Sequence, residues 1–263
     1  MRRLPKRRDC ARWLAGLLLL VGLNAHAALR DEILVYDDEL LRAGERAVEL
    51  HVNRTLSARV PAHAGQLRVM PEFAWGLGRD VELGLHLPTV RESPGDWRAA
   101  GARLRLKWLP IGAHGDAHDA GYREGGAWFA GINLELSRVQ TRYEDPAWSS
   151  ELRGIIGWRG GPWVLSFNPV VYQPFTRGTG GTPQLLLGAR AMREIRHGAS
   201  LGFEYHGDRG PLWQPLPRGQ QDRIVYLVGE FEVGRSLVHV GVGRGATRAS
   251  DPWTLKTMIG FPF

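Results

Sequence analysis

The strongest constraint on the fold lies in the final residues. Trp253, Leu255, Thr257, Ile259, Phe261 and Phe263 share one parity, while Thr254, Lys256, Met258 and Gly260 share the other. A period of two places successive side chains on opposite faces, which is the signature of a β-strand. In water, a strand ending in aromatic residues is an adhesive open edge. A transmembrane barrel removes that edge by pairing its last strand with its first. Trp253, Leu255, Ile259, Phe261 and Phe263 are therefore expected to mark a barrel-closing strand.

The same alternation recurs upstream, separated by clusters of Gly, Pro, Asn and Asp. It predicts about twelve strands, near 47–54, 66–76, 81–88, 99–108, 127–137, 149–158, 163–172, 184–194, 199–206, 223–233, 236–243 and 253–263. Ten strands result if 184–194 or 236–243 is misread. Connections alternate between long ones and tight ones such as 159–162, 196–198 and 234–235. Long outer loops alternating with short inner turns are expected of outer-membrane barrels. The connection 109–126 departs from this pattern, being long where a tight turn is expected. The fold class is thus all-β: a closed antiparallel transmembrane barrel over residues 46–263.

Parity also predicts orientation. Leu104, Leu106 and Trp108 oppose Arg103, Arg105 and Lys107. A Lys or Arg facing lipid costs roughly 2–4 kcal/mol at the bilayer midplane, so these three are expected to face the lumen. The predicted lumen lining is Glu49, His51, Arg68, Glu72, Glu82, His86, Arg103, Arg105, Lys107, Glu151, Arg153, Arg190 and Glu204, with Glu135, Glu194, Glu230 and Glu232 beside them. Trp75, Trp108, Trp128, Trp158 and Trp163 form one expected outward belt, and Trp97, Trp148, Tyr172, Tyr205 and Trp253 the other. Amphipathic rings favour the two headgroup levels.

The first 27 residues read as a cleaved export signal. Arg2, Arg3, Lys6, Arg7 and Arg8 precede an apolar run from Trp13 to Leu23, followed by Ala25-His26-Ala27. That order is a basic segment, a short apolar segment and a small-residue cleavage site. The run is shorter than the ~20 residues a membrane helix needs. Removing 1–27 takes away six basic residues and one acidic residue, so the net charge falls from +7 to about +2. A nucleic-acid partner therefore has no support. The only cysteine, Cys10, leaves with the signal. Residues 28–45, with an acidic run from Asp31 to Glu39, are expected to form a periplasmic amino-terminal arm, either a short helix or an extended segment.

Several strand motifs resemble those of outer-membrane proteins of the phenol-degradation meta-pathway family, often termed transporters. They are Met70-Pro71-Glu72-Phe73-Ala74-Trp75-Gly76-Leu77, Val81 to Pro88, Arg103 to Trp108, Trp163 to Pro169, and Leu201 to Gly207. The resemblance implies a small channel-type barrel and carries over no catalytic residue.

Three functions follow from these readings. The first is passive passage of small solutes or ions across the outer membrane, with small aromatic or hydrophobic compounds among the candidates. The second is a closed structural or interaction barrel, and the third a lipid-modifying enzyme. The enzyme is disfavoured because no His-x-Ser occurs to pair a nucleophile with a base on one strand face. His114 and His118, beside Asp116 and Asp119, are weak metal candidates, and no cofactor is implied. Expected partners are outer-membrane lipid, the barrel-assembly machinery and an unidentified solute.

Overall fold

The computed structural model describes residues 32–59, 63–92, 95–112, 126–144, 147–175 and 181–263. The expected signal peptide, residues 28–31 of the arm, and His114 and His118 lie outside the described residues.

Fourteen strand segments form one antiparallel sheet: β1 Arg46–Ser57, β2 Leu67–Gly78, β3 Val81–His86, β4 Thr89–Arg91, β5 Trp97–Ala99, β6 Gly101–Ile111, β7 Ala127–Val139, β8 Trp148–Gly160, β9 Trp163–Phe175, β10 Gln184–Arg196, β11 Ala199–Pro211, β12 Asp222–Val233, β13 Ser236–Gly245 and β14 Trp253–Pro262. They make twelve staves, because β3 continues into β4 and β5 into β6. The first break has a local cause. Pro71 and Pro88 face this stretch of the β2–β3–β4 ladder, and proline supplies no N–H to it. The register is nevertheless kept across the gap, from Glu72↔His86 to Val69↔Thr89.

The ring closes where the carboxyl-terminal alternation predicts. β14 pairs with β1 from Ala47↔Pro262 through Val48↔Phe261 to Ser57↔Trp253, and Phe263 N donates to Arg46 O at 3.0 Å. β1 also pairs with β2, so no edge is left open. Both weaker segments, β10 and β13, are paired on both sides, which gives twelve staves rather than ten. Two-residue turns at 79–80, 161–162, 197–198 and 234–235 mark one end of the barrel. Arg79 and Asp80 both take positive φ, the backbone that a tight hairpin of this twist demands.

The side-chain distribution is inverted relative to a water-soluble protein. On β6, Leu104, Leu106 and Trp108 are exposed while Arg103, Arg105 and Lys107 are buried. The same inversion runs round the ring, with Leu134, Leu152, Phe167, Phe203 and Leu227 outside, and His86, Asn133, Asn168, Glu204 and Lys256 inside. Trp108, Trp128 and Trp163 are exposed at the short-turn end, and Trp97, Trp148 and Trp253 at the other. Trp75, Trp158 and Tyr205 are only half-buried. Tyr172 corrects the expected belt: it shares the parity of Ser166 and Asn168, is buried, and donates its hydroxyl to Glu144.

The arm also differs from expectation. Residues 32–45 do not stand apart beneath the barrel; they run through its interior, mostly extended, with Val35 and Asp38 completely buried. Backbone placed there needs partners, because unpaired buried N–H and C=O groups are costly. The wall provides them. Asn168 accepts from Tyr36 N at 2.7 Å and donates back to Tyr36 O at 3.1 Å. At the short-turn end Gly44 N donates to Gly76 O at 2.9 Å, and Gly76 N to Glu45 O at 3.0 Å. Tyr36 and Leu40 pack with Leu109, Phe129 and Ile155 in an apolar cluster, which adds hydrophobic anchorage.

Candidate functional site

The candidate site is the lumen together with the arm that occupies it. Strand parity aims side chains from every stave at one axis, and the polar ones meet there away from solvent. On the side built by β2, β3, β6 and β7, Arg105 reaches both Glu72 and Glu82, the latter at 2.6 Å. Arg103 lies 3.3 Å from Glu135 and 3.8 Å from Glu144. His86 Nε2 lies 3.1 Å from Glu72. His51 stands 3.4 Å from Glu49 and 3.5 Å from Glu72. Arg68 donates to Gln66 at 2.8 Å, and Arg153 pairs with Glu151 at 2.7 Å.

Across the lumen, Glu204 gathers Lys256 at 2.5 Å and His206 at 2.9 Å. Arg190 joins Glu230 and also reaches Asp37 of the arm at 3.0 Å. Of the residues named for the lumen, His51, Arg68, Glu72, Glu82, His86, Arg103, Arg105, Lys107, Arg190 and Glu204 are buried, and Glu49, Glu151 and Arg153 are half-buried.

The arm is held by charge as well as by backbone. Asp38 receives a two-pronged contact from Arg159. Lys107 donates to Glu39 O at 2.5 Å, Lys256 to Ile33 O at 2.9 Å, and Arg153 to Leu34 O at 3.0 Å. The Tyr36 ring has Arg153, Lys107 and Arg105 at 4.7, 5.1 and 5.5 Å from its centroid. Each such contact contributes about 0.5–2 kcal/mol. Removing one partner of a buried ion pair costs about 3–5 kcal/mol, because the other charge stays behind.

The arm's carboxylates carry the strain of this crowding. The charge of Asp37, and then burial, raise the Glu39 carboxyl to about 8. Burial raises Asp37 too, against the pull of Arg190.

Beside Glu32 to Leu34, on the long-loop side, lies a cavity of about 130 Å³. Glu32 to Leu34 form its floor, and Arg103, Glu135, Glu144, Glu151, Tyr172 and Tyr226 are among its walls. A cavity of roughly 150 Å³ holds a molecule the size of benzene, so only a small solute fits.

Sequence reasoning missed Asp37 and Asp38 as lumen groups, along with Asn168, Glu144 and Tyr172. The parity of β9 carries a signal for Asn168 and Tyr172. The acidic run opposite a lumen rich in arginine carries one for the arm.

These features define a closed, twelve-stave, inside-out β-barrel with its own amino-terminal segment threaded through the bore. No family model matches the sequence, and no curated protein matches it. Solved structures with a similar course include LpxR from Salmonella typhimurium, 11% identical over 82% of this chain and 100% of that one, with a TM-score of 0.45. The translocator domain of the autotransporter NalP from Neisseria meningitidis is 12% identical over 97% and 96%, with a TM-score of 0.39. Outer membrane phospholipase A from Escherichia coli is 13% identical over 85% and 98%, with a TM-score of 0.38.

Proposed function

We propose that this chain is an outer-membrane channel-type barrel for small solutes or ions, shut at rest by its amino-terminal arm. Membrane insertion is supported by the continuous apolar exterior between two aromatic levels, because water would not tolerate such a surface on a monomer. Channel character is supported above all by one observation: five wall cations on four staves, Lys107, Arg153, Arg159, Arg190 and Lys256, bond to the arm. A barrel sealed by its own wall side chains would leave no room for a second length of backbone. This one encloses a bore wide enough for an extended peptide, and removing that peptide leaves a charged aqueous path. Membership of the meta-pathway family suggested by the strand motifs belongs to the same proposal, as does the choice of solute.

The test is conductance in planar bilayers. Deleting residues 28–44 from the mature chain is expected to raise single-channel conductance at least severalfold over the intact protein. Arg103→Ala with Arg105→Ala in that background is expected to shift ion selectivity. Two silent proteins, both folded by heat-modifiability on gels, would favour the closed structural barrel instead.

A further inference from the structure

We propose, independently of whether the barrel conducts, that Glu32, His86 and Glu135 form a divalent-cation site that staples the arm to the barrel wall. His86 ends β3 and is completely buried; Glu135 points inward from β7, two staves away; Glu32 belongs to the arm. His86 Nδ1 lies 3.5 Å from Glu135 Oε2 and 3.9 Å from Glu32 Oε2, and has no hydrogen-bond partner among the described residues. These separations are long for hydrogen bonds. They suit ligands of one ion: donors about 2.1 Å from a tetrahedral centre stand about 3.4 Å apart. The ligand atoms of the three residues all fall within 4.8 Å of one another.

The remaining atoms of these side chains are already committed in the way a metal site requires. Glu135 uses Oε1 to accept from Ser137 at 2.8 Å and from Arg103 at 3.3 Å. Glu32 uses Oε1 to accept from the Tyr36 hydroxyl. Each carboxylate therefore turns its second oxygen toward His86. The far ring nitrogen, Nε2, sits 3.1 Å from Glu72 Oε2, an ion-pair distance without hydrogen-bond geometry, which places a carboxylate behind the ring as ligating imidazoles commonly have. Glu32 and Glu135 also border the cavity, where water can complete the coordination. One imidazole and two carboxylates suit a borderline or moderately hard ion such as Zn2+ or Mn2+.

Glu49, His51 and Glu72 repeat the spacing nearby, with distances of 3.4 and 3.5 Å from His51 Nε2. That group is a weaker candidate, because Glu72 already serves Arg105 and His86 while Glu49 is partly exposed. It provides the control.

The experiment uses the refolded mature chain carrying His114→Ala and His118→Ala, so that the long 109–126 connection contributes no histidine. Zn2+ bound after equilibrium dialysis is counted by mass spectrometry, and Co2+ is added separately for its visible absorption. One ion per barrel is expected, with Co2+ bands typical of nitrogen and oxygen ligands. His86→Gln and Glu32→Gln should each weaken binding at least tenfold, whereas His51→Gln should leave it within twofold. Glu32→Gln alters only the arm, so barrel folding is unaffected, and heat-modifiability on gels verifies it for every variant. Zn2+ retention by folded Glu32→Gln equal to its parent, or no Zn2+ bound by the parent at micromolar concentration, overturns the site.

Discussion

Glu39 makes the seated arm sensitive to pH. Its neighbours are Asp37 on the arm, Glu230 on β12, Arg190 on β10 and Arg159 on β8. With its carboxyl raised to about 8 by Asp37 and burial, the seated state holds a proton that a released arm would give up near the ordinary carboxylate value. Seating is therefore fully supported below about 4.5 and loses this contribution as pH rises toward 8. Conductance of the intact chain is expected to rise between pH 5 and 8, and Glu39→Gln should flatten that profile; a fall across this range would contradict it. At this scale the sequence was readable wherever burial cost decides. Arg103, Arg105 and Lys107 cannot face hydrocarbon, so parity assigns them inward. Tyr172 was misplaced because the pull of aromatic rings toward a belt was allowed to override the parity it shares with Ser166 and Asn168.

The staves are the most readable elements, because each is a separate test of alternation against a boundary of hydrocarbon. Their ends were less visible. β9 runs to Phe175 and β11 to Pro211, beyond the predicted limits of 172 and 206. Past the apolar band both faces meet polar surroundings, so alternation fades while the ladder continues. On the outer face Leu106 sits between Leu83 of β3 and Leu134 of β7. Leu106→Lys is expected to lower unfolding free energy in vesicles by about 2–4 kcal/mol by urea titration. Leu56→Lys, at the long-loop end of β1, should cost only about 0–1 kcal/mol, as near an interface. Equal losses at both positions would argue against a hydrocarbon band around the ring.

At the scale of the molecule the arm decides the state of the bore, and here the sequence was least readable. Residues 28–45 have no period, and their partners lie far along the chain: 121 residues separate Asp38 from Arg159, and 153 separate Asp37 from Arg190. Only closure of the ring brings those arginines to one axis. The geometry also offers a lock. Val35 Cγ2 lies 3.3 Å from where a Cβ on Gly188 would stand, within reach of a disulfide once both are cysteine. Cys10 is the only cysteine in the sequence, so protein expressed from residue 28 carries no competing thiol. Val35→Cys with Gly188→Cys is expected to abolish macroscopic conductance when oxidised and to recover it under reductant. Conductance that persists in the fully cross-linked protein would place the ion path elsewhere.

The bond from Lys256 to the carbonyl of Ile33 carries one more implication, for the order of events. Lys256 stands on β14, which closes the ring, yet it grips the segment that precedes β1. The seat for residues 32–45 is consequently incomplete until the final hairpin has docked. A ring lacking that stave would lose the anchor at Ile33 while keeping those from Lys107, Arg153, Arg159 and Arg190.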